Sequence, residues 1–315
     1  MRAHHLFTSL VFAFALASPG TARCADTPGS AGTPTKKAEV AVWKHVAVIG
    51  ASVSAGIGLD PTSNAFAGEK SKTQLAEIID ASLLFEHDAP WNGADFNFFS
   101  SPEAIARRSA ADAKAEKPTA LIAIDYLFWL GYGNGSNEKR LARLEAGLKL
   151  LESFTCPVLV GDLSDFHGAG TNPFYLPKES IPPAESLAQM NKAIYAWAKE
   201  RKNVVVVPLA EMLRKIIVDE PISVGGVTFE KGSKARLLQQ DNLHTTLEGT
   251  CALWCIAVEA WRAMDPTIPA EAFLANPTEL AKKVEAAAAS APVKPKRAKP
   301  GKAKPKKAEK AGTGG

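Results

Sequence analysis

Short unbroken apolar runs alternate with longer amphipathic stretches between about residues 41 and 275, and few folds accommodate that alternation. The runs are AVWKHVAVIG (41–50), FNFF (96–99), TALIAID (119–125), CPVLVG (156–161) and NVVVVPL (203–209). Between them lie helical patterns near 71–85, 102–116, 138–153 and 184–201, and a last one near 246–264. Leu141, Leu144, Leu148 and Leu151 fall on one helical face, as do Leu75, Ile78 and Ile79. Apolar runs this short and this continuous are strands buried on both faces of a parallel sheet. Helices between parallel strands must cover both faces, which predicts a three-layer α/β/α sandwich with a mostly parallel sheet. PISVGGVTFEKG (221–232) breaks the pattern and reads as a small late β-hairpin insertion.

The two ends read differently from the middle. MRAHHLFTSLVFAFALASPG opens with a basic residue, continues into an apolar run too short to span a bilayer, and ends in small residues. That is the pattern of a secretory signal peptide over residues 1–25, with cleavage between Gly20 and Ala25. An uncleaved anchor and a lipoprotein attached at Cys24 are the alternatives. The expected location is secreted or periplasmic, with no transmembrane segment in the mature chain. Residues 26–43 read as a linker, 44–275 as the folded domain, and 276–315 as a disordered Ala/Lys/Pro-rich basic tail. Residues 292–315 carry nine basic residues and one acid, a charge of +8 against +4 for the whole chain, so the remainder carries −4. The tail suits contact with a polyanion, or simple solubilisation. It holds no aromatic residue on which nucleic-acid bases would stack.

Functional groups of open parallel sheets gather at the carboxyl ends of the strands. After the first run comes Gly50-Ala51-Ser52-Val53-Ser54-Ala55-Gly56-Ile57-Gly58. Small neighbours let a sharp turn lift the Ser52 hydroxyl above the sheet, and a helix starting there would direct a positive dipole end at a developing oxyanion. The glycine spacing matches neither a P-loop nor a dinucleotide fingerprint. Near the end of the domain, Asp241 and His244 stand three residues apart at a helix start. There a carboxylate can hold imidazole Nδ1–H and leave Nε2 as a base. Asp125 ends the third strand and is open to a structural or a substrate-binding role. Asp162, Asp165 and His167 follow the fourth strand and suit a cleft wall or a turn cap better than a metal site. Tyr126, Phe128, Trp129 and Tyr132 form either an aromatic wall or core. Cys251 and Cys255 read as buried small hydrophobes, with one bond to Cys156 open.

GASVSAGIG resembles the first block of the SGNH/GDSL hydrolases, G-D-S-[LIV]-[ST]-x-G, with Ala51 in place of Asp. DNLHTTLEG resembles their last block, D-x-x-H-[PT]-x-x-G, including Gly249. The resemblance spans most of residues 44–262. It implies a flavodoxin-like sheet and hydrolysis of carboxylic esters or O-acetyl groups, on a small-molecule or polysaccharide substrate. Ser52 would be the nucleophile, His244 the general base and Asp241 its orienting partner, with no metal or other cofactor. The Ser52 N–H would be one oxyanion donor, and the N–H of Ser100 or Ser101 would stand where the family has a Gly. IDYLFWLGYGNG lacks the Asn donor of the family's third block. An alternative is therefore a weak or inactive binding module of the same fold, for envelope polysaccharide or another polyanion.

Overall fold

Four of the five apolar runs yield strands, of only three or four residues each. The computed structural model describes residues 41–60, 63 and 71–290, all within the compact unit Thr35–Gly315. The expected signal peptide, linker residues 26–40 and the basic run 292–315 lie outside the described residues.

The central sheet consists of β1 (Val46–Val48), β2 (Trp91–Asn92), β3 (Ala120–Ala123), β4 (Val158–Gly161) and β5 (Val204–Val207). Its order is β2-β1-β3-β4-β5 and every pair is parallel. Val46 pairs with Ala120, Leu121 with Val158, and Val158 with Val204. All residues of β1, β3 and β4 are buried, as expected for strands covered on both faces. FNFF does not join the sheet. Residues 96–100 form a 3-10 turn, and β2 is the preceding Trp91–Asn92. The Asp95 carboxylate accepts from Asn97 N–H and starts that turn, a local bond that competes with strand pairing.

One helical layer holds α1 (Leu75–Ser82), α8 (Leu247–Met264) and α9 (Pro277–Ser290), in mutual contact. The other holds α2 (Pro102–Ala115), α3 (Phe128–Gly131), α4 (Asn137–Leu151) and α5 (Ala184–Lys199). Capping follows the sequence. Pro102 opens α2, the Ser136 hydroxyl accepts from Lys139 N–H at α4, and the Thr246 hydroxyl accepts from Gly249 N–H at α8. The short α6 (Leu209–Ile217) leads into the antiparallel hairpin β6 (Ile222–Val224) and β7 (Val227–Phe229), then α7 (Lys234–Leu237). Apart from its second strand, the expected three-layer fold with its late hairpin is observed.

Both edges of the expected domain move outward. Trp43, assigned above to the linker, is buried against Trp254, Trp261 and Phe273. Residues 277–290, assigned to the tail, form α9 and bury Leu280, Ala281 and Val284. Repeated Ala and Lys obscured an apolar stripe at positions 280, 281 and 284, which is one helical face. Among the described residues no helix is long and apolar enough to cross a membrane. Cys156, Cys251 and Cys255 are all free thiols, so the bond left open above is not formed. Burial pushes the Cys255 thiol up to about 12, which keeps it protonated and inert.

Candidate active site

The strand order reverses between β1 and β3, and the candidate site is built across that switch point. Ile49 N–H extends the β1–β3 ladder to the Ile122 carbonyl at 2.9 Å, and the chain then turns. Ala55 N–H donates to Ala51 O at 2.9 Å and Ile57 N–H to Ser52 O at 3.0 Å, which closes one tight turn around Ser52. The helix start expected there is absent, since residues 51–59 are all bend and turn.

A carboxylate two residues past the end of β3 organises this turn instead. Asp125 Oδ1 accepts from Ala51 N–H at 3.0 Å, and Oδ2 accepts from Val53 N–H at 2.9 Å and Ser54 N–H at 3.1 Å. The Ser54 hydroxyl adds a fourth bond to Oδ1 at 2.6 Å. Asp125 therefore takes the structural role of the two left open above. It consumes the amides on either side of Ser52. Among the described residues the Ser52 N–H itself has no protein acceptor, and it stands beside its own Oγ. Gly50 makes the approach possible. A Cβ there would lie 2.0 Å from Asp125 Oδ1 and 2.5 Å from Ser54 Oγ.

The segment before α8 brings in the partners. His244 is 3% exposed, and its Nε2 lies 3.0 Å from Ser52 Oγ. Its Nδ1 lies 2.7 Å from Asp241 Oδ2. A carboxylate only accepts, so Nδ1 carries the proton and Nε2 is left to accept from the Ser52 hydroxyl. Asp241 Oδ1 accepts from the N–H groups of Leu243 and His244, both at 3.0 Å. Burial raises the Asp241 carboxyl, but the His244 ring and these two amides outweigh it, and the net pKa falls below the ordinary carboxylate value. Tyr175 meets the imidazole edge-on, with ring centroids 5.4 Å apart.

Ser52, His244 and Asp241 thus come together from positions nearly 200 residues apart. Ser100 and Ser101 do not join them. The Ser100 hydroxyl donates to Asn97 O, Ser101 precedes α2 without a side-chain cap bond, and both are exposed. Neither lines the two cavities that meet at Ser52. The 3-10 turn swings them past the cleft and presents Phe96 and Phe99 there instead. Among the described residues no Asn or Gln side chain lines either cavity.

The other candidates separate. Asp162 is buried and accepts from Ala210 N–H and the Tyr195 hydroxyl, whereas Asp165 and His167 form an exposed pair at 2.7 Å. Among the described residues no cluster of His, Cys, Asp or Glu is arranged to hold a metal ion. The aromatic set after β3 divides between wall and core. Tyr126 and Tyr132 are fully buried, with their hydroxyls on the carbonyls of Ala106 and Ser164. Trp129 lines the cleft, and its indole Nε1 is buried with no hydrogen-bond partner among the described residues. Phe99, Phe174 and Tyr175 were not singled out by sequence, because nothing local connects them to Ser52.

No protein-family model and no curated protein matches the chain. Among solved structures, the chain is similar to a Bacteroides fragilis protein provisionally described as an acylhydrolase. The identity is 12% and the TM-score 0.42, over 72% of this chain and 88% of the other. It is also similar to TesA, at 16% identity and a TM-score of 0.37, over 71% of this chain and 99% of the other.

Proposed function

We propose that the chain is a secreted serine hydrolase that cleaves carboxylic esters or O-acetyl groups through Ser52, His244 and Asp241, in the manner of the SGNH hydrolases its sequence blocks resemble. One observation carries the reading. The hydrogen-bonded chain Ser52 Oγ–His244 Nε2, His244 Nδ1–Asp241 Oδ2 ends beside the Ser52 N–H, which donates to no acceptor among the described residues. In this reading Ser52 Oγ attacks the carbonyl carbon while its proton passes to His244 Nε2. The imidazolium is held by Asp241 and returns the proton to the departing alcohol. Water then resolves the acyl-enzyme by the same route. The Ser52 N–H receives the developing oxyanion. A missing second side-chain donor costs about 10²–10³ in rate where such donors have been removed, so turnover is expected to be modest.

The test is hydrolysis of a short activated ester by the mature protein, with fluorophosphonate labelling. Wild type should turn over and label at one site. Ser52→Ala should lose both, and His244→Ala should lose turnover. A folded wild type that neither labels nor turns over would refute the hydrolase reading and leave the binding module in its place.

A further inference from the structure

Two mainly apolar cavities, one small and largely aliphatic and one wider and aromatic, meet at Ser52, His244 and Leu243. The first is small, about 50 Å³, and lies at the carboxyl ends of β3, β4 and β5. Its walls are buried side chains, among them Leu163, Leu209, Leu213 and Leu253. At about 10–15 Å³ per water-sized group, it takes roughly three to five such groups. The second is wider, about 280 Å³, and aromatic. Phe99 and Phe174 on its rim are 47% and 74% exposed. Aromatics grouped on the rim of a cavity form an apolar patch of the kind that marks a binding surface.

The wider cavity shares Tyr175 with a large groove of mixed lining, in which Asn172, Asp219, Lys234, Gln240 and Asn242 stand among apolar side chains such as Ile217 and Leu238. Amide and charged side chains in such a row can donate and accept along a polyhydroxylated ligand. Aromatic faces beside them suit the apolar faces of its rings.

We infer that the substrate is a short-chain acyl ester of a glycan, with the acyl group of about two to four carbons in the small Leu-lined cavity and the sugar on Phe99, Phe174 and the large groove. This assignment rests on the hydrolase reading above. The reaction order supports it. The acyl group stays bonded to Ser52 through the first step, so an enclosed site holds it. The alcohol must leave after accepting a proton from His244 and be replaced by water, so it occupies the side open to solvent. The water then releases a carboxylic acid and regenerates the Ser52 hydroxyl.

The experiment compares vinyl esters of rising chain length, phenyl acetate and an O-acetylated xylo-oligosaccharide, with fluorophosphonate labelling as the count of folded sites. For wild type on vinyl esters, kcat/KM should peak at two to four carbons and fall at least tenfold by eight. Leu213→Ala should move that peak towards longer chains. Phe174→Ala should raise KM for the acetylated oligosaccharide about tenfold, a clearly larger factor than for vinyl esters, and Phe174→Tyr should restore it. A wild-type profile that rises through eight carbons, in a protein that labels, overturns the cavity assignment and leaves the hydrolase reading standing. A Phe174→Ala defect on phenyl acetate but not on the oligosaccharide overturns the glycan in favour of an aryl alcohol. Neither labelling nor turnover in folded wild type refutes the hydrolase reading and this one with it.

Discussion

Asp125 shows how one side chain can fix the backbone around another. Its carboxylate binds three amides and one hydroxyl of the turn, and the Ser52 amide is the one it leaves open. A hydrogen bond to a charged group is worth about 1.5–3 kcal/mol, and stranded buried donors cost as much again. Asp125→Ala should therefore lower stability by about 3 kcal/mol or more in urea unfolding, and lower kcat by at least tenfold in what remains folded. Asp125→Asn should not rescue it, because an amide NH₂ would face donors that need an acceptor. Asp241 gives a pH signature. Its folded pKa is depressed, so its contribution to stability is present above the unfolded value of about 3.9 and is lost as pH falls through the folded value. Urea midpoints measured from pH 6 down to pH 3 should drop more steeply for wild type than for Asp241→Asn.

At the scale of elements, α9 belongs to the fold. It packs on α8 and α1, and Lys283 Nζ donates to the Ala81 carbonyl at 2.7 Å. Leu280 and Val284 are each buried, at about 1.5–3 kcal/mol per side chain. A chain ending at Asn276 should melt well below one ending at Ser290, as followed by circular dichroism. Equal melting temperatures would show that α9 contributes nothing. The 3-10 turn at 96–100 matters in another way. It turns what would have been an edge strand into the support for Phe96 and Phe99 in the cleft.

At the scale of the whole molecule, charge is divided unevenly. The last 24 residues carry +8 and the rest −4. If the basic run is adhesive, the full chain should be retained on an anionic matrix at low salt, released as ionic strength shortens the screening length to a few ångströms, and not retained after truncation at Ala291. Retention that survives truncation would place the adhesive surface elsewhere.

The amino-acid sequence by itself determined the layered parallel fold, because burial on both faces demands continuous apolar strands and amphipathic covers. It also marked Ser52, Asp241 and His244, because each needs its neighbours at fixed local spacing. The tertiary structure alone decided the rest. Ser100 and Ser101 are carried past the cleft by a turn that a local Asp95 bond starts. Asp125 reaches the Ser52 turn because β1 and β3 are adjacent in the sheet although Ala51 and Asp125 stand 74 positions apart in the chain. The aromatic rim draws on the segments after β2, β3 and β4. Contacts between distant segments leave no period or spacing in a chain, so only packing reveals them.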